Sequence, residues 1–119
     1  MIRIQKCLPI FLLPAFLAPF GAWAVMAPVS EENHQQFEKK FAEMCIEKEK
    51  KDMQGSGVLL SDVVSMCECI AREESKRVTS AEVKEFVFDN QYPASLMMKS
   101  NAATYTCVEA QKKASGATP

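Results

Sequence analysis

Two cysteines separated by one glutamate, Cys67-Glu68-Cys69, are the residues whose type and spacing most suggest chemistry. A thiol–disulfide exchange centre needs an accessible, low-pKa thiolate, held by a helix N-terminus or a neighbouring cation. Here the intervening Glu68 is anionic and disfavours a thiolate, and the pair falls in the middle of a helical pattern. Zinc is short of ligands, since His34 is the single histidine and no paired Cys-x-x-Cys spacing occurs. Met44, Met53, Met66, Met97 and Met98 offer thioethers that suit Cu(I). Set among Phe and Leu at helical spacing, they read instead as core filler or an adaptable contact surface. No apolar strand precedes Gln54-Gly55-Ser56-Gly57, so this stretch reads as a flexible connector and not a nucleophile turn. His34 reads as a solvated helix residue, no Ser–His–acid set can be assembled around it, and no carboxylate is singled out by an apolar setting. The expectation is a protein that is not an enzyme and uses no cofactor or metal.

The elements that must position these cysteines are helical. Ser30 is placed to cap a first helix whose opening turn carries Glu31 and Glu32, where carboxylates suit the helix dipole. Phe37, Phe41, Met44 and Cys45 follow at spacings of one amphipathic face, and the charge-alternating residues 47–52 read as its solvated end. A second helix is predicted through residues 59–77, with Leu60, Val63, Val64, Cys67, Ile70 and Ala71 on one face. Thr79 and Glu82 form a capping box for a short third segment with Val83, Phe86 and Val87 inward. Pro93 can open a last helix, since its missing N–H would be unpaired there anyway. On that helix Leu96, Ser100, Ala103 and Cys107 share a face. The tail, residues 114–119, is small and polar and is expected to be disordered.

On a helix, residues i and i+2 are about 200° apart, whereas a disulfide needs its Cβ atoms within about 4.5 Å. No Gly or Pro interrupts the chain between Val58 and Asn90. A Cys67–Cys69 bond is therefore disfavoured. Of the three pairings open to Cys45, Cys67, Cys69 and Cys107, two remain: Cys45–Cys67 with Cys69–Cys107, or Cys45–Cys69 with Cys67–Cys107. Either makes the second helix a hub, stapled on one side to the first helix and on the other to the last.

The N-terminus explains why such bonds would form. Arg3 and Lys6 precede an apolar run from Leu8 to Phe20, and Ala22-Trp23-Ala24 supplies small residues for cleavage after Ala24. This is the pattern of a secretory signal peptide, with residues 25–119 as one mature domain. A cut after Ala27 is less favourable, because Pro28 would then follow the scissile bond. The charge-free stretch from Cys7 to Val29 is also long enough to span a bilayer as an uncleaved anchor, but Pro9, Pro14 and Pro19 each remove a helix donor from it. Cleavage would leave no stable membrane anchor and would remove Cys7. An oxidising compartment then favours disulfides, and the absence of any Asn-x-Ser/Thr sequon fits a periplasmic or secreted bacterial protein. The whole chain carries a net charge of −1, and losing Arg3 and Lys6 makes the remainder more acidic. Nucleic acid is thus an unlikely partner on electrostatic grounds.

The arrangement Cys45…Cys67-x-Cys69…Cys107 behind a leader, with "RVTSAEV" shortly after the Cys-x-Cys, resembles small exported four-cysteine helical proteins of Gram-negative bacteria. In general plan the chain is also similar to the small disulfide-bonded immunity proteins that neutralise periplasmic cell-wall-cleaving toxins, and to periplasmic acid-stress chaperones. Neither likeness transfers a site. The expected fold is all-α, a bundle of three or four helices stapled by two disulfides. The expected function is binding of a protein partner, as an inhibitor, immunity protein or accessory subunit, with Phe37, Phe41, Met44, Met97 and Met98 as contacts. An acid-stress chaperone and a thiol–disulfide oxidoreductase using Cys67 and Cys69 are the alternatives.

Overall fold

The computed structural model describes residues 28–116. The expected leader with Cys7, the cleavage site after Ala24 and the last residues of the tail, 117–119, lie outside the described residues. Four helices and no strand occur among the described residues: α1 (Glu31–Asp52), α2 (Leu60–Ser75), α3 (Ser80–Val83, continued by a wide π turn at Lys84–Phe88) and α4 (Ala94–Ala114). The all-α bundle is as the sequence predicts. No helix among the described residues is long and apolar enough to cross a membrane.

Local signals set most of the boundaries. Ser30 caps α1, its hydroxyl accepting from Asn33 N–H at 3.2 Å, and α1 carries Glu31 and Glu32 in its first turn and Lys50 and Lys51 in its last. This charge order complements the helix dipole. The connector to α2 turns through Gly55 and Gly57 at φ +81° and +75°, a conformation L side chains avoid. The break between α2 and α3 contains neither Gly nor Pro. It is made by the capping box: Glu82 N–H reaches Thr79 Oγ1 at 3.3 Å, and Thr79 N–H reaches Glu82 Oε2 at 2.8 Å. Val78 before the cap and Val83 after it are both buried in the core, the arrangement of a hydrophobic staple. Pro93 stands at the N-cap of α4.

The helices run antiparallel through the chain. Going up α1 from His34 to Cys45, the α2 partner descends from Ser75 to Cys67. Between Tyr92 and Cys107 it descends from Glu74 to Cys69. The core gathers Phe37, Phe41 and Phe86, with ring centroids 5.2 to 6.4 Å apart, together with Ile70, Val83, Leu96 and Ala103.

The π turn at the end of α3 closes with Asp89 N–H on Lys84 O at 3.1 Å. Its outer carbonyls are satisfied from α1: Lys40 Nζ donates to Phe86 O at 2.7 Å and Val87 O at 3.3 Å, and also to Asn90 Oδ1. A cation at a helix C-terminus is favoured by the dipole and fills orphan acceptors at once. Lys40 thereby ties α3 to α1 across the core edge.

Candidate binding groove and its buried carboxyl

Of the two pairings open from sequence, the structure takes Cys45–Cys67 and Cys69–Cys107, with Cα–Cα separations of 5.7 and 6.0 Å. The first staples α1 to α2 and the second staples α4 to α2, so the Cys-x-Cys is the hub that helix geometry requires. α1 and α4 each make their main contact with α2 and not with one another. A groove of about 1050 Å³ opens between them.

The groove takes its floor from α2 and its walls from the other two helices. Val63, Met66, Cys67 and Ile70 form the floor, Phe41, Met44 and Lys48 the α1 wall, and Met97, Asn101 and Thr104 the α4 wall. In a four-helix bundle the position opposite α2 would hold a fourth helix. α3 fills that position at one end only, where Phe86 lies 6.4 Å from Phe41 and 5.6 Å, edge-on, from Tyr92. Phe41 and Tyr92 are also groove-lining residues, so the groove begins where α3 stops. At its other end Val58 lines the opening and begins a run, Val58, Leu59 and Leu60, exposed by 49, 64 and 45%. Three consecutive exposed aliphatic residues are uncommon unless they serve a contact.

The predicted contact residues divide. Met44 and Met97 line the groove and are exposed. Met98 is exposed but is not a lining residue. Phe37 and Phe41 are 0 and 4% exposed; both belong to the core, Phe37 away from the groove and Phe41 also on its α1 wall. Among the described residues, no group of three or more His, Cys, Asp or Glu side chains could hold a metal ion.

Beside the α3 end of the groove sits Glu74, which sequence reasoning missed. Its side chain is 0% exposed. Tyr92 Oη donates to its Oε1 at 3.3 Å, and Oε2 has no hydrogen-bond partner. Burial pushes this carboxyl up to about 7; hydrogen bonds from Tyr92 and Ser100 oppose the rise, the Glu82 charge adds to it and Lys99 opposes it. Burial also pushes Tyr92 up to about 12, with the Glu74 charge adding to the effect. Glu82 behaves in the opposite way. Burial would raise it, but Lys99 Nζ at 2.6 Å, Ser95 and the Thr79 backbone outweigh burial and hold it below the usual range. A neighbouring tie, His34 Nδ1 to Ser75 Oγ at 2.8 Å, joins the start of α1 to the end of α2, so the half-buried His34 is also a cross-helix partner. The signal for Glu74 was available: positions 63, 67, 70 and 74 continue one helical stripe, and Glu74 and Ser75 stand at its end.

A pH dependence follows. Between pH 4.5 and 7 the folded state keeps a Glu74 proton that the unfolded chain has released. Its contribution is therefore complete below 4.5 and is lost as pH rises through about 7, amounting to about 3 kcal/mol. Glu82, held low, contributes above its ordinary pKa and loses that contribution as the medium becomes strongly acid. Denaturant unfolding from pH 4 to 8 is expected to show greatest stability in weak acid and a decline toward neutrality. Glu74→Gln is expected to abolish that decline.

Compared with known proteins, the chain matches no family model, no curated protein and no solved structure.

Proposed function

We propose that the protein is a small exported, disulfide-bonded helical module that acts by binding a protein partner, as an inhibitor, immunity protein or accessory subunit. In this reading the partner lays an apolar helix into the open groove. The observation that carries it is the half-filled fourth position of the bundle, with Met44, Met66 and Met97 along its sides and the exposed Val58, Leu59 and Leu60 at its mouth. From Asp62 to Ile70 the floor runs about 12 Å along the helix axis, enough for two turns of a helix anchored at i, i+3, i+4 and i+7 positions. Methionine walls adapt to such anchors at small cost. Stapling both walls to the floor keeps the groove formed before binding, which reduces the ordering cost of association.

Two rival readings receive less support. Thiol exchange needs a sulfur that an incoming thiolate can reach; one cysteine of each bond, Cys67 and Cys107, is 1 and 2% exposed and its partner, Cys45 or Cys69, is half-buried. An acid-stress chaperone should loosen at low pH and bare its Phe37, Phe41 and Met44 stripe. The buried Glu74 carboxyl pulls the other way, favouring the folded form in acid.

The test is a comparison of variants in partner capture from an envelope extract. Met97→Glu and Val58→Glu are expected to weaken retention at least about tenfold while leaving the helical circular dichroism unchanged. Met98→Glu, outside the groove lining, is expected to retain the partner. Equal retention by all three variants would exclude the groove.

A further inference from the structure

We infer that Glu74 is a proton-operated latch on the connection between α3 and α4, residues 89–93, closed while the carboxyl is neutral and released when it ionises. Three features of the packing carry this. First, the carboxyl is completely enclosed and its Oε2 has no partner. A neutral acid tolerates that position, whereas a carboxylate there needs water or a new donor.

Second, the surrounding charges cannot compensate it in place. Lys99 on α4, the nearest cation, is already engaged by Glu82 on α3 at 2.6 Å. Glu82 itself is a like charge. From α1, Lys40 is committed to Phe86 O, Val87 O and Asn90 Oδ1, and His34 is bonded to Ser75. Just past the end of α2, Arg77 pairs with Glu73. The carboxyl is met by neutral hydroxyls, those of Tyr92 and Ser100, and not by a cation.

Third, the cover is the weakest part of the wall. Residues 88–92 are all exposed, and from Asp89 to Tyr92 the backbone lies between the π turn and α4. Asn90 sits at φ +53°, and beyond the Lys40 bonds the segment is tied by Asp89 N–H on Lys84 O at 3.1 Å, the exposed Lys84–Asp89 ion pair, Gln91 N–H on Glu85 O at 2.8 Å, and Tyr92 against Glu74 and the Phe86 ring. Segments outside regular helix, held mainly by local and solvent-exposed bonds, open at low cost. Ionisation of Glu74 therefore admits water by swinging Tyr92 away while Lys40 holds Asn90 as the pivot. Because Tyr92 also lines the groove, opening reshapes its α3 end; only this consequence rests on the binding reading, and the latch itself is read out without any partner.

Amide hydrogen exchange on the mature, oxidised chain tests it, with Gln91 and Leu96 as reporters because their N–H groups donate to Glu85 O and Pro93 O. After correction for the intrinsic pH dependence of exchange, their opening constant is expected to rise about tenfold per pH unit between about 5 and 7 and then level off. Amides in the middle of α1 and α2 are expected to stay more protected throughout. Glu74→Gln should flatten the profile while leaving His34 in place, which assigns the proton to Glu74. An equal pH profile in wild type and variant, or exchange of Gln91 and Leu96 only together with the core, would overturn the latch. A carbon-13 titration of the wild-type Glu74 carboxyl decides the matter if the variant does not fold: a midpoint above about 6 supports the latch, and one near the ordinary glutamate value refutes it.

Discussion

Replacing Cys69 and Cys107 together by alanine will lower the unfolding free energy by about 4 kcal/mol, and replacing Cys45 and Cys67 will lower it by about 3 kcal/mol. These values follow from loop closure, since the bonds span 38 and 22 residues and the longer loop restricts the unfolded chain more. Cys69 follows Cys67 by two positions, so the two loops lie end to end along the chain and do not overlap. Each therefore removes its own share of unfolded-state entropy, and the effects should nearly add. The sum is comparable to the whole stability of a typical small domain. The variant lacking all four cysteines is accordingly expected to be largely unfolded at 37 °C. Guanidinium unfolding of the two double variants checks the values under non-reducing conditions. A loss below about 1 kcal/mol for either pair would show that the bond restrains little that the packing does not already hold. The two losses should also differ in kind. Without Cys69–Cys107 the α4 wall is held by its packing and the Lys99–Glu82 ion pair, so on the groove-binding proposal partner retention should fall along with stability.

Phe37→Ala should be the most damaging single change, at about 3 to 5 kcal/mol. Phe37 is 0% exposed and lies between Phe41 at 6.0 Å and Phe86 at 5.2 Å. Truncation would leave a ring-sized cavity where α1, α3 and the start of α4 meet, and the neighbouring rings cannot close it without leaving their own contacts. Thermal or denaturant unfolding measures the cost. Phe37→Leu separates a core role from a contact role, because it keeps much of the apolar volume while removing the ring. It should fold, lose less stability than the alanine variant and retain the partner. Lost binding with stability intact would mean that Phe37 reaches the partner after all.

Much of this architecture is legible locally. The hydroxyl of Ser30, the Thr79 and Glu82 box and the apolar spacing of α1, α2 and α4 involve residues within four positions of one another, and the structure bears them out. The exclusion of a Cys67–Cys69 bond is of the same kind, since it needs only the rotation per residue of a helix. The choice between the two remaining pairings is not local. In an antiparallel hairpin Cys45 is level with both Cys67 and Cys69, and only the rotational setting of α1 against α2 turns Cys67 toward it.

The misreadings share one physical cause. An amphipathic stripe says that a face must leave water, and core and interface satisfy that demand equally well. Phe37, Phe41 and Met44 thus look alike in sequence, although Phe37 is wholly in the core, Phe41 is buried at the groove wall and Met44 stands exposed along the groove. Glu74 failed in the converse way: a charged residue reads as solvated, and its burial depends on Tyr92 and on residues of α3 and α4 that follow it in the chain.

What the amino-acid sequence by itself determined is therefore the set of helices, their caps and the role of Cys67-Glu68-Cys69 as a two-sided anchor, because each depends on backbone geometry over a turn or two. Tertiary structure alone decided which cysteine holds which wall, that α3 is too short to fill the fourth position, and that a neutral carboxyl is enclosed beside the groove. Each of these depends on how far separate helices extend past one another, a distance set by packing between residues remote in the chain.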